Sequence, residues 1–386
     1  MAIVLFDNPA RKKLAPLTFS RAVADIRLGI FTAKERWQKI TNAEVYVFTE
    51  NYLQSLYAPV PAGTHTWIDA ALILNEELID RIITLEDDIS LADENGLIAF
   101  KKNIDASSFI AAGAFQLFDK ILQIENVKRL EYPWQIFKWN DKMIATDFAL
   151  AIKGKSSANI STTNHLTKTE NIFIEEGALV EHAYLNGSAG PVYIGKNATI
   201  MEGALIRGPF AACENALIKM GAKIYGATTV GPHCIAGGEI KNVVLQGFSN
   251  KAHDGYLGDA VIGYWCNIGA GTSNSNIKNN AGNIFIFHND DKINIGTKCG
   301  CIMGDYSRTA INTSINTGTI IGTCCNIFGE GLTQKTIPNF QWGNKVVTRY
   351  ELNKAIQDIA NWKKLKHYEL TNAEIDVLKY IFEQNI

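Results

Sequence analysis

The chain has 386 residues, 47% apolar and 20% charged, with a formal net charge of −2. That length accommodates two domains with separate cores, and so small a charge gives no general reason to expect nucleic acid or an anionic membrane as partner. No stretch reaches the roughly 18 apolar residues of a spanning helix, and the opening MAIVLFDNPARKK has neither the apolar length nor the cleavage site of a signal peptide, so a cytoplasmic location is expected.

Apolar, β-rich runs at Ala2–Phe6 and Ala43–Thr49 predict strands. Helical spacing predicts helices over Arg21–Ile40 and Asn75–Leu85, and this alternation predicts an open α/β domain. Tyr132–Ile152 reads as a connecting helix, and the polar stretch Lys155–Asn171 as a linker.

A repeat then takes over. Ile194, Ile200, Ile206, Ala212, Ile218, Ile224 and Val230 recur every sixth residue, each followed four positions later by a residue such as Ala198, Ala204, Ala216 or Ala222. Asn or Gly at positions such as 197, 203, 215 and 221 suits the turns, because both tolerate positive φ. The period starts weakly at Ile174 and Val180, resumes at Tyr256, Ile262 and Ile268, and returns at Ile315, Ile321 and Ile327. Six-residue steps that each turn one aliphatic side chain inward predict a parallel β-helix, whose stacked coils bury a column that no single coil buries alone. Tyr256 falls on the inward register of this pattern.

Beyond the repeat, Leu352, Ile356 and Ile359 share a helical face, and Thr371 with Glu374 predicts a capping box for a last helix. The domains expected are 1–155, 156–335 and 336–386. All seven cysteines lie between Cys213 and Cys325 without zinc-site spacing, and are read as reduced packing residues.

The strings Glu239–Lys241, His253, Tyr256–Ala260 (YLGDA) and Asn267–Thr272 (NIGAGT) resemble the bifunctional N-acetylglucosamine-1-phosphate uridylyltransferase/glucosamine-1-phosphate N-acetyltransferases, in a divergent form with a shortened first domain. The resemblance is strong from about 190 to 330 and weak before 150. It implies a reduced nucleotidyltransferase-like, Rossmann-like α/β domain, a left-handed β-helix of hexapeptide repeats, and a helical tail. It further implies acetyl-coenzyme A as co-substrate, an amino-sugar phosphate as acceptor and a homotrimer. His253 falls on the histidine that deprotonates the sugar amine and Glu239 on a glutamate near that base. Lys241 and Lys219 fall on phosphate-binding positions, with lysine at 219 where the family has arginine; Tyr256 and Asn276 match sugar-contacting positions. The chemistry suits the residue types: an amine attacks only when unprotonated, histidine is a base near neutral pH, and lysines are charged donors to phosphate.

In the first domain Leu14–Thr18 (LAPLT) matches the family, but the preceding loop Asp7–Lys13 has no glycine, whereas close approach of backbone amides to a triphosphate needs residues without side chains. Lys13 takes the place of the family's arginine, Ala22-Val23 replaces a proline-lysine pair with Arg21 nearby, and Asp69 in WIDAALIL is the candidate magnesium ligand. Magnesium and UTP are expected only if this domain is active. The alternatives are therefore a nucleotidyltransferase or bifunctional enzyme, and, more remotely, a non-catalytic scaffold or a metal site from His233, His253 and His288, whose spacing supports no shared site.

Overall fold

The computed structural model describes residues 2–106, 109, 118, 120–288, 291–344 and 348–384, and the His288 side chain lies outside the described set. The chain forms two compact units, one of Met1–Ile26 with Phe31–Tyr132 and one of Arg27–Ile30 with Pro133–Ile386.

The first unit is built on a six-stranded sheet in the order β2-β1-β3-β5-β4-β6. Its strands are β1 (Ile3–Phe6), β2 (Val45–Phe48), β3 (Thr64–Asp69), β4 (Ile89–Asp93), β5 (Gly96–Asn103) and β6 (Lys120–Gln123). Strand β1 runs parallel to both β2 and β3, placing the carboxyl ends of Phe6 and Asp69 side by side. Burying Val4, Phe6, Trp67 and Phe100 makes the core, with the Trp67 and Phe100 rings stacked at 5.6 Å. The helices are α1 (Ala33–Thr41), the single turn α2 (Asn51–Gln54) and α3 (Glu76–Ile83).

The helix expected from Arg21 begins only at Ala33, where Thr32 and Glu35 close a capping box. Upstream, Gly29 takes φ +82, outside the helical region. Arg27–Ile30 instead belongs to the second unit: the Arg27 and Gly29 amides donate to Gln246 Oε1 (2.6 Å) and Asn140 Oδ1 (2.9 Å). Asn140 lies on α4 (Pro133–Ile152), a helix of the second unit that donates through Asn140 Nδ2 to the carbonyl of Ala227 at 2.9 Å.

The rest of the second unit is the expected parallel β-helix followed by two helices. Strands two to nine residues long stack in parallel, so that Leu185, Ile206, Ile224, Ile240 and Leu257 superpose along one wall and Val180, Ile200, Ile218 and Ala236 along another. All are buried and form one continuous core. Corner residues Asn197, Gly203, Asn215 and Gly221 take positive φ, as the turn chemistry requires. The polar stretch from Lys155 already builds the first coil: Ala158 N donates to Ile174 O, Ile160 packs on the core, and His165–Thr167 pairs with Tyr184–Asn186.

One register expectation is corrected. The inward residue after the corner is Leu257, 2% exposed, and Tyr256 stands on the outer face. A strand alternates its side chains, so the one-residue difference moves the tyrosine from core to surface. All seven cysteines are free and buried.

The C-terminal helices are α5 (Leu352–Leu365) and α6 (Asn372–Glu383), with the Thr371–Glu374 capping box formed. Lys366 Nζ donates to His233 O (2.7 Å) and Asn250 Oδ1 (3.0 Å), and Tyr368 meets the stacked rings of His233, Phe248 and Trp265 edge-on. Among the described residues, no helix is long and apolar enough to cross a membrane.

Candidate active site

Glu239, Lys241 and Tyr256 share the outer face of two adjacent strands, Glu239–Gly247 and Tyr256–Tyr264, whose inward residues Ile240 and Leu257 anchor them to the core. Glu239 lies directly beside Tyr256 in register, and Lys241 beside Gly258. A side chain at Gly258 would come within 2.2 Å of the Tyr256 hydroxyl, so glycine there lets the ring lie across the strand. Asn276 completes the cluster, its Nδ2 donating to Tyr256 Oη (3.0 Å) and Asp259 Oδ2 (2.6 Å). Burial, with Asp259 next, pushes the Tyr256 phenol up to about 12, so it stays protonated through the neutral range.

Three residues around this face, Tyr225, Lys223 and Asn242, are not among those singled out in the sequence. Tyr225 donates to Glu239 Oε1 at 2.6 Å, which raises the Tyr225 phenol, and its ring lies 5.6 Å from Lys241 Nζ. Lys223 is the in-register neighbour of Glu239 on the preceding coil. Asn242 donates to Asp259 Oδ1 (2.7 Å), so that Asp259 gathers Asn242 and Asn276. The available signal was the hexad itself: residues flanking an inward isoleucine, such as Lys223 and Tyr225 around Ile224, face outward.

His253 is exposed on the corner just before this face. Its backbone comes down on Gly238, where an added Cβ would meet His253 O at 2.7 Å and Gly255 O at 2.9 Å. Glu239 hydrogen-bonds Tyr225 rather than the His253 ring, while its amide donates to Gly255 O (3.3 Å). Lys219 is not on the face of Lys241. It lies on a corner two coils before that of His253, where its amide donates to Ala236 O, and a Cβ on Gly237 would approach its own Cβ to 3.1 Å. The lysine on the site's face is Lys223.

In the first unit Asp69 is 1% exposed, and both its oxygens are engaged. Oδ2 accepts from Arg129 Nε (2.7 Å) and Asn8 Nδ2 (2.7 Å), and Oδ1 from Ala71 N (2.9 Å). Arg129 also pairs with Asp93. A magnesium ion needs open carboxylate lone pairs, so this arrangement does not fit one. The loop after β1 is a 3₁₀ turn over Pro9–Leu14, capped by Asn8, with the Ala10 and Arg11 amides consumed by Asn8 Oδ1 (2.8 Å) and Asn8 O (3.0 Å). Arg11 is held by Asp7 at 2.8 Å and donates to the carbonyl of Arg21 at 3.1 Å; Lys13 Nζ lies 5.6 Å from the Tyr132 ring. Among the described residues no group of three or more His, Cys, Asp or Glu is placed to hold a metal.

Residues 3–156 match the sugar nucleotidyl transferase family. The bifunctional protein GlmU of Methanococcus vannielii is 27% identical over 215 residues, covering 53% of this chain and 44% of that protein. GlmU of Trichodesmium erythraeum is 38% identical over 86 residues, 22% of this chain and 18% of that one. Over these stretches the chain is similar to GlmU proteins. It spans less than half the length of these curated relatives. Among solved structures, the UDP-N-acetylglucosamine O-acyltransferase LpxA of Moraxella catarrhalis covers 58% of this chain and 91% of its own at 15% identity, with a TM-score of 0.19, too low to bear on function.

Proposed function

We propose that this GlmU-like chain transfers an acetyl group from acetyl-coenzyme A to the amine of an amino-sugar phosphate such as glucosamine 1-phosphate. The observation that carries this reading is the convergence of Glu239, Lys241, Tyr256 and Asn276 on one face, beside the corner that bears His253. His253 takes the proton as the amine nitrogen attacks the thioester carbon; the tetrahedral intermediate then collapses and coenzyme A leaves as its thiol. Lys241, and Lys223 on the same face, supply positive charge for the phosphate. Tyr256 and Asn276 offer hydroxyl and amide to the sugar, with Asp259 fixing the amide's orientation.

The same face continues over earlier coils as a groove of about 440 Å³ lined by Tyr184, Leu205, Arg207 and Tyr225, with Tyr184 49% and Leu205 46% exposed. This exposed apolar surface supports a homotrimer in which another copy covers the face; a monomer in light scattering at micromolar concentration would count against it. A cytoplasmic location accords with acetyl-coenzyme A as co-substrate.

The match of residues 3–156 to the sugar nucleotidyl transferase family supports a second reading, a bifunctional enzyme that also uses UTP. The occupied carboxylate of Asp69 and the consumed amides of the Asn8 turn weigh against it. Two assays separate the readings. Thiol release from acetyl-coenzyme A with a panel of amino-sugar phosphates supports acetyl transfer, and its absence on every sugar overturns it. Magnesium- and UTP-dependent pyrophosphate release would restore the bifunctional reading.

A further inference from the structure

The inward column Val180, Ile200, Ile218, Ala236 continues, in register, with Lys251. The side chain that should be a small aliphatic is therefore a lysine, and it is 1% exposed. Lysine is almost never fully buried unless its ammonium is paired, because removing that charge from water costs several kcal/mol. Among the described residues no carboxylate lies within ion-pair distance of it. Instead Nζ donates to two backbone carbonyls from adjacent coils, Gly237 O at 3.2 Å and His253 O.

The local chain path explains why a donor is useful there. Between wall strands the corner normally has four residues, as in Lys219–Ala222 before Lys223 and Ala252–Gly255 before Tyr256. Between Ala236 and Glu239 there are only two, Gly237 and Gly238. A four-residue corner thus stacks on a two-residue one, and the regular ladder of N–H to C=O bonds cannot run straight through the mismatch. The glycines permit close approach: a Cβ on Gly237 would lie 2.4 Å from Ala252 O, and one on Gly238 2.7 Å from His253 O. The flexible lysine stem reaches out from the core and supplies donors to carbonyls on both sides of the mismatch.

We infer that Lys251 is a positioning residue: its buried ammonium staples the His253 corner to the shortened Gly237–Gly238 corner beneath it and so fixes where the imidazole stands. This inference rests on the reading of His253 as the general base. Burial also pushes the Lys251 ammonium down to about 8, in keeping with a charge held away from water and balanced only by dipoles and by Asp254 further off.

The test uses the full chain with Lys251→Met, which keeps the stem's volume and removes the donors, and Lys251→Gln, which keeps one amide donor. Lys251→Met is expected to fold with unchanged or raised thermal stability, since a buried charge is exchanged for a hydrophobe. Its kcat should fall roughly 10–100-fold with KM for both substrates little changed, as a misplaced base requires. Lys251→Gln should recover part of that loss. In a His253→Ala background the same lysine substitutions should cost nothing further, because the staple acts only through the imidazole. Equal losses with and without His253, or a folded Lys251→Met with wild-type kcat, overturn the inference. If Lys251→Met does not fold, Lys251→Gln alone is carried through the same cycle. Should the wild type acetylate no amino-sugar phosphate, the functional reading fails, and amide exchange then decides the staple: faster exchange over 252–255 in the variant, with Leu217–Ile218 unchanged, supports it, and unchanged exchange at that corner refutes it.

Discussion

Arg129→Met perturbs the first unit at a buried cluster of three charges. The guanidinium bridges Asp69 and Asp93, and the side chains of all three are between 1% and 6% exposed. Removing one partner of a buried ion pair leaves an uncompensated charge and costs about 3–5 kcal/mol, and here two carboxylates are orphaned together. Asn8 Nδ2 and Ala71 N still serve Asp69, which keeps the expected loss at the lower end of that range rather than doubling it. For a unit of this size the loss lowers its melting temperature by roughly 10–15 °C. The pH response has a definite sign. Burial raises the Asp69 carboxyl, and the Arg129 charge is the strongest influence holding it down. Without Arg129 the folded-state pKa rises further above the unfolded one. The protonated carboxyl's stability is then present at low pH and lost as pH rises through the raised folded value, so the deficit against wild type grows as pH rises above the ordinary carboxylate range. Urea denaturation combined with amide exchange over β1 and β3 reads the first unit separately from the second. A loss below about 1 kcal/mol without pH dependence, the behaviour of a solvated surface pair, would refute the dry triad.

Ile218→Ala opens a cavity in the β-helix core and should destabilise the second unit by about 2–5 kcal/mol in urea titrations. Tyr256→Phe removes the hydroxyl that Asn276 meets, and should raise KM for the sugar phosphate more than it lowers kcat. Lys366→Ala should speed amide exchange over α5, since its contacts to His233 O and Asn250 are lost. Docking of that tail should also weaken in acid. Burial, and then Lys366, lower the His233 pKa, so the neutral ring's contribution is present above the unfolded value near 6.5 and lost as pH falls through the lowered one; exchange over α5 against pH checks this.

Much of this architecture is carried by local pattern. The hexads name the inward residues Ile194 to Val230 because stacked coils repeat one environment, and β1, β2 and the Thr371 cap follow from equally short-range signals. A strict hexad counted back from Ile262 lands on Tyr256, but inward Leu257 and Ile262 are only five residues apart along their strand, so the count falls one residue short of Leu257. Lys219 lies 22 residues before Lys241, not a whole number of hexads, and with the two-residue corner Gly237–Gly238 between them it is Lys223 that stands on the site's face. The engagement of Asp69 was invisible for another reason: Arg129 lies 60 residues away in sequence and reaches it only in the folded sheet. Helical spacing over Arg21–Thr32 was overridden by tertiary contacts, chiefly those of Arg27 and Gly29 with Gln246 and Asn140.

The central claim is that His253 accepts the proton of the attacking amine, and His253→Ala tests it most directly. Initial rates of thiol release from acetyl-coenzyme A with glucosamine 1-phosphate, measured across pH for wild type and variant, give kcat, KM and the acid limb in one series. The account predicts a fall in kcat of roughly 10²–10⁴-fold, KM values close to wild type, and loss of the acid limb of the rate profile. A His253→Ala protein that acetylates at the wild-type rate with an unchanged pH profile would contradict it.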